Sequence, residues 1–311
     1  MSGVADPGEI VSDQKEEDRE MADDVMEMLG EDVVLCDGGM ILEARWRGYD
    51  TPAAIVEHPD AIRQIHRDFL NAGSQVLEAV TWFTSRSQLD RHFGWGGRLD
   101  EVNRMGVQLA KEASSGTAPV GGCLVSTRTG SWEGDPIFDP EDPSSRDRAK
   151  AEWDEQIAIL VDAGADFLIP ETFHRLDEVL VCLECCNKTS VPTMVFLGMS
   201  RTTEDGATAA ECARVLAGEG ADVVGLVCNG APEGMLNLVT EMRQAVDVPV
   251  AWQPNGFGPG GKDTRVPLDV MAGCAAKAKA EGINLIGACC GAGPNVIRAM
   301  ARALGRAPEA A

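Results

Sequence analysis

Four times along this chain a glycine introduces a run of one shape, polar at first and then apolar. Ala72-Gly73-Ser74-Gln75-Val76-Leu77 resembles Ala163-Gly164-Ala165-Asp166-Phe167-Leu168. Both resemble Glu219-Gly220-Ala221-Asp222-Val223-Val224 and Glu281-Gly282-Ile283-Asn284-Leu285-Ile286. Each glycine is placed to end a helix, because helices commonly close on a left-handed residue that glycine adopts without penalty. The apolar run that follows is continuous rather than alternating, as in a strand covered on both faces. A repeated unit of helix end and buried strand restricts the chain to α/β architectures with a parallel sheet.

The rest of the chain fills in that pattern. Strands are predicted at 33–35, 75–81, 118–125, 166–170, 191–197, 222–228, 248–252 and 284–288. Helices are predicted at 59–72, 98–115, 146–163, 174–187, 208–217, 234–245 and 266–280, with a last one from 294 to 302. Eight such units over about 275 residues fit a (β/α)8 TIM barrel. The alternative is a doubly wound open sheet. No G-x-G-x-x-G or G-x-x-x-x-G-K-[ST] loop follows any strand, which weakens a nucleotide-binding reading. The barrel is expected to span residues 31–311. Residues 1–30 read as an acidic extension without a wide apolar stripe.

Charge narrows the partners. The formal net charge is −23, and residues 1–32, with 12 acidic and 2 basic side chains, supply −10 of it. This balance argues against nucleic acid or an anionic membrane as partner. No apolar run approaches the roughly 20 residues of a membrane helix. The first 29 residues lack the apolar core of a secretory signal. A cytoplasmic protein is expected; the sequence leaves a homo-oligomer open.

Ten cysteines and only four histidines mean that any transition-metal site should be rich in sulfur. Gly287-Ala288-Cys289-Cys290-Gly291 ends the eighth strand, and Cys228 ends the sixth. Counted from the repeat glycine, Glu171 and Cys289 share position +7, while Cys228 and Cys290 share +8. Alternate barrel strands contribute to one layer, and sites form at the C-terminal ends of strands. Cys228, Cys289 and Cys290 are therefore expected to bind Zn2+, with one tetrahedral position open to a substrate. A soft thiol suits that position, and a bound thiol reacts as its thiolate. Water activation for hydrolysis is the weaker use, since no histidine or carboxylate adjoins the three thiols in sequence.

These residues carry a resemblance. Gly225-Leu226-Val227-Cys228 and Gly287-Ala288-Cys289-Cys290-Gly291 look like the zinc motifs of the homocysteine S-methyltransferase family. Asp37-Gly38-Gly39 resembles its first-strand motif, and Asp166-Phe167-Leu168-Ile169-Pro170-Glu171-Thr172 its fourth. Arg47-Gly48-Tyr49, then Glu57-His58-Pro59 through Phe69-Leu70 and Ala72-Gly73-Ser74, is similar in particular to betaine–homocysteine methyltransferases. The likeness covers residues 31–303. It implies a zinc-dependent methyltransferase that passes a methyl group from an onium donor, such as betaine or S-methylmethionine, to homocysteine, giving methionine. Carried over by position, Asp37 and Glu171 would hold the amino-acid end of homocysteine, joined by Glu78 and Thr172. No catalytic residue beyond the metal site is implied.

The sequence also departs from that pattern. Val227 stands where the family commonly has Asn. The first loop is shortened to Gly48-Tyr49-Asp50-Thr51-Pro52, and the tryptophan of the betaine enzymes is absent from it. Phe83 stands where they have tyrosine, Thr172 follows Glu171, and their long C-terminal extension is missing. A donor pocket is expected from Trp46, Trp82, Phe83 and Trp252, with Trp132 a further candidate, because aromatic faces attract onium cations. Cys36, Cys123, Cys212 and Cys274 read as buried packing. So do Cys182, Cys185 and Cys186 on an outer helix. His58 and His174 read as cap or surface residues. A non-catalytic zinc- or thiol-binding barrel acting as a sensor, and methyl transfer to another thiol or a selenol, are the competing readings.

Overall fold

The computed structural model describes residues 25–127, 137–258 and 261–307. Seven parallel strands come first: β1 (Val34–Leu35), β2 (Leu77–Glu78), β3 (Val120–Val125), β4 (Phe167–Phe173), β5 (Met194–Leu197), β6 (Val223–Cys228) and β7 (Val250–Pro254). A hairpin of β8 (Phe257–Gly258) and β9 (Gly261–Arg265) interrupts the series before the eighth parallel strand, β10 (Leu285–Ile286). The sheet order is β1-β10-β7-β6-β5-β4-β3-β2. Its two ends meet at Gln75, whose backbone N–H donates to the Leu35 carbonyl at 2.7 Å and whose Oε1 accepts from Leu35 N at 3.0 Å. The sheet is thus a (β/α)8 TIM barrel.

Helices fill the crossovers: α1 (Met40–Trp46), α2 (Ala53–Glu57), α3 (Pro59–Asn71), α4 (Arg86–Phe93), α5 (Leu99–Ser114), α6 (Pro143–Asp162), α7 (Leu176–Cys186), α8 (Ala209–Gly218), α9 (Pro232–Ala245), α10 (Leu268–Ala280) and α11 (Pro294–Ala303). The sequence reading missed α1, α2, α4 and the hairpin. α2 and α4 are short, and α4 carries little apolar periodicity.

The fourfold repeat has a mechanical meaning. Gly73, Gly164, Gly220 and Gly282 all have positive φ, between 76° and 109°. Each closes its helix with the paired bonds of a Schellman cap, such as Ala165 N to Leu160 O and Gly164 N to Val161 O. Two residues on, the polar side chain reaches across to the strand before it. Gln75 accepts from Leu35 N, Asp166 from Val120 N, Asp222 from Thr193 N and Asn284 from Val250 N, at 2.6 to 3.1 Å. Every even-numbered strand of the barrel therefore starts by satisfying a buried donor on its odd-numbered neighbour.

The core has two layers. Alternate strand residues such as Leu35, Leu77, Leu168, Leu226 and Ile286 face the helices. Val34, Val76, Phe167, Ile169, Phe196, Val223 and Leu285 fill the barrel. Residues 25–31 are helical, and Val25 and Leu29, at i and i+4, are buried in that inner layer. Asn284 Nδ2 donates to Leu29 O at 3.4 Å, which puts this helix at the N-terminal end of the strands. The last turns of the expected 1–30 extension therefore belong to the barrel core.

Gln75→Ala removes an acceptor from the buried Leu35 N–H at the seam. It is expected to cost about 1–3 kcal/mol of stability, read as a lower urea midpoint.

Candidate active site

The site lies at the C-terminal ends of the strands. β6 ends on Cys228, whose φ is +66°. Asn229 N donates to Val227 O at 2.8 Å, closing a tight turn over it. A left-handed residue other than glycine costs on the order of 1–2 kcal/mol, so the fold holds Cys228 against a local preference. β4 shows a second departure of this kind. Its register with β5 shifts between Glu171 and Phe173, and the bulged residue Thr172 has φ +60°.

After β10 the chain turns through Cys289 and Cys290. Gly39, from the loop after β1, packs against this turn. A Cβ on Gly39 would lie 2.6 Å from the Cys289 carbonyl oxygen, so only glycine permits the approach. Ala288 N donates to Asp37 O at 3.1 Å and Gly39 N to Ala292 O at 2.9 Å.

The structure brings the three expected thiols together. The sulfurs of Cys228, Cys289 and Cys290 all lie within 4.8 Å of one another, and the Cys289 thiol is hydrogen-bonded to both others. For Cys228 the bond with Cys289 lowers the pKa, but the bond with Cys290, burial and neighbouring negative charge outweigh it and push it up to about 12. Bonds to Cys228 and Cys290 push Cys289 well above the ordinary thiol range. Crowded thiols resist ionising side by side unless a cation joins them. Three convergent sulfurs with a further tetrahedral position to spare fit a zinc-type ion.

Beside the thiols stand three carboxyls. Asp37 is buried, and its Oδ2 accepts from Glu78 N at 3.1 Å. Glu78 Oε1 accepts from Gln253 Nε2 at 2.8 Å and from the Cys36 thiol at 3.4 Å. Glu171 is buried and hydrogen-bonded to Cys123. Burial first, and then the charge of Glu78, raise the pKa of Asp37 and of Glu171 well above the carboxylate range. Burial likewise raises Glu78. Among the described residues, none of the three forms an ion pair. Cys36 and Cys123 are buried, as expected, yet they do more than pack, since both bond to these carboxyls.

The expected aromatic pocket divides. Trp82 and Phe83 follow β2, with ring centroids 4.1 Å apart at 79°. Trp82 packs on the barrel-filling layer, as do Cys228 and Cys289, and its buried indole N–H has no hydrogen-bond partner among the described residues. Trp46 is 46% exposed, and one face is taken by the Arg265 guanidinium, 4.2 Å from the ring centre. Trp252 is fully buried in the helix-facing layer. It alternates with Ala251, which faces inward, so the structure does not bring Trp252 to the mouth. Trp132 lies outside the described residues.

His174 is half-buried, and its ring nitrogen meets the Gly198 carbonyl and Asn229. Gln253 was missed, although it ends a barrel strand, where polar residues read as functional. Cys182, Cys185 and Cys186 are buried in the helix-facing layer, in keeping with packing.

Comparison with known proteins agrees with this geometry. A family model described as homocysteine S-methyltransferase matches residues 34–304. The S-methylmethionine–homocysteine S-methyltransferase of Pongo abelii is 30% identical over 307 residues, covering 89% of this chain and 79% of that protein. Betaine–homocysteine S-methyltransferase 1 of Bos taurus is 29% identical over 310 residues, covering 89% and 73%. In fold, the metallated homocysteine methyltransferase MmuM of Escherichia coli superposes with a TM-score of 0.72 at 22% identity, covering 87% of this chain and 96% of that one.

Glu78→Gln keeps an acceptor for Gln253 and Cys36 while removing a carboxyl that burial disfavours in its charged form. A carboxyl whose pKa rises on folding lowers stability as pH climbs past its unfolded value of about 4.3. The variant is thus expected to match the parent near pH 4 and to exceed it in urea stability at about pH 8, measured on protein free of metal and substrate.

Proposed function

The chain belongs to the homocysteine S-methyltransferase family and is a methyltransferase, and from that premise we propose that it moves a methyl group from an onium donor to the sulfur of homocysteine, giving methionine. The observation that carries this reading is the meeting of three thiols with three carboxyls, Asp37 and Glu171 buried and Glu78 half-buried, that form no ion pair among the described residues. Cys228, Cys289 and Cys290 would hold Zn2+. When bound there, zinc supplies the positive charge that lets a thiol persist as thiolate at neutral pH.

The carboxyls answer the other end of the acceptor. Asp37, Glu78 and Glu171 line the mouth with carboxyls whose charged form is disfavoured until a cation joins them, which suits the ammonium group of an amino acid. Cys36, Cys123 and Gln253 hold those carboxyls in place through hydrogen bonds. Thr172, on its bulge, shifts the register of β4 immediately after Glu171. In the transfer a new S–CH3 bond forms on homocysteine. The donor's N–CH3 or S–CH3 bond breaks, and its electron pair leaves with a neutral amine or sulfide. The acceptor's thiol proton goes to solvent, so no strong general base is required. The Trp82–Phe83 pair offers an aromatic wall for the onium charge.

The names of the relatives agree on homocysteine and differ on the donor, betaine or S-methylmethionine; both are onium compounds. Among the described residues no helix is long and apolar enough to cross a membrane. A cytoplasmic setting suits ten free thiols, and the partners proposed are two small molecules.

The test is a donor screen with homocysteine as acceptor: betaine, S-methylmethionine, dimethylsulfoniopropionate and S-adenosylmethionine. At least one is expected to yield methionine; methionine from none of them contradicts the reading. Protein purified without chelator is expected to hold about one zinc per chain. Cys290→Ala is expected to lose both the zinc and at least about 10-fold in activity, since removing a ligand costs no less than removing an outer partner.

A further inference from the structure

Three consecutive residues at the end of β7 each bond to a different one of the three cysteines. Pro254 O accepts from Cys289 N at 2.8 Å. Asn255 Nδ2 donates to Cys228 O at 2.6 Å. Gly256 N donates to Cys290 O at 2.7 Å. The turn fits tightly, because a Cβ on Gly256 would lie 2.6 Å from the Gly291 carbonyl carbon. These contacts span β6, β7 and the loop after β10, and none involves a sulfur.

We infer that Pro254-Asn255-Gly256 is a clasp that sets the separation of the three thiols, with Asn255 as its positioning residue for metal binding. The inference rests on the proposed role of the three cysteines as metal ligands. Asn255 is the one member of the turn that acts through its side chain, and it acts on the strained ligand. The Cys228 carbonyl accepts two bonds, from Gly230 N at 2.8 Å and from Asn255. The first is local to the turn. The second ties the left-handed backbone of Cys228 to β7. Asn255 Oδ1 meanwhile accepts from Phe257 N at 3.0 Å, which fixes the amide orientation and leaves Nδ2 to donate. The chain has Val227 before the first cysteine, so no side-chain amide comes from that position; Asn255 supplies one from the neighbouring strand.

The substitution pair follows from the two ends of the amide. Asn255→Asp keeps an acceptor for Phe257 N but sets a carboxylate oxygen against the Cys228 carbonyl. Asn255→Ala removes both bonds. Asn187→Ala is the control: Asn187 Nδ2 also donates to a backbone carbonyl, Glu219 O at 2.8 Å, but on the outer helices. Zinc affinity is measured by competition with a chromophoric chelator, alongside urea unfolding of the zinc-free proteins. Both Asn255 variants are expected to bind zinc about 10–100-fold more weakly than the parent, and Asn187→Ala with the parent's affinity whatever its urea midpoint. If one Asn255 variant does not fold, the other decides. Affinity within about twofold of the parent in the folded Asn255 variants, a margin well inside the expected 10–100-fold, overturns the clasp alone. A parent protein that binds no zinc overturns the metal reading of the three cysteines, and the clasp with it.

Discussion

Acidic groups crowd one end of this barrel, and among the described residues none of the three carboxyls there has an ion-pair partner. Three thiols lie within 4.8 Å of one another, and three carboxyls with raised pKa stand next to them. In a desolvated place such groups stay protonated or gather cations. The function proposed for the site completes it with positive charge: a metal ion for the sulfurs, an ammonium for the carboxyls. Both belong to one reaction if the acceptor is an amino thiol. Its sulfur and its ammonium group would then satisfy the two halves of the cluster together.

Holding such a cluster requires a frame that does not relax. The closed sheet is one part of it, with a polar side chain at the start of each even-numbered strand satisfying the strand before it. Two left-handed residues, Thr172 and Cys228, are the places where the strands depart from regular geometry. They lie next to Glu171 and at the first thiol. Strain of this kind persists where surrounding bonds over-determine it, and Cys228 shows such bonds on both sides. Glycines at 39 and 256 let neighbouring loops close on the Cys289-Cys290 turn.

Much of this was legible in the residues. The glycine-led repeat marked the even strands, and matching heights along it aligned Cys228 with Cys289 and Cys290. Asp37, Glu78 and Glu171 fell where a barrel site is built. What escaped has physical reasons. Trp252 sits at a strand end, but strand side chains alternate, and the periodicity of a continuously apolar strand does not say which residues face inward. Cys36 and Cys123 looked like packing because Glu78 and Glu171, to which their thiols also bond, are distant in sequence. Val25 and Leu29 are too few to show an apolar stripe. Asn255 lies in a polar, glycine-rich stretch, and the Cys228 carbonyl to which it donates is 27 residues away in sequence.

The central claim is that three cysteine sulfurs hold a metal with room for the acceptor's own sulfur. X-ray absorption at the zinc edge, on the protein with and without homocysteine, tests it most directly. The account predicts three protein sulfurs at about 2.3 Å and one more sulfur when homocysteine is added. A metal held by protein nitrogen or oxygen, or one whose sulfur count homocysteine leaves unchanged, would contradict it.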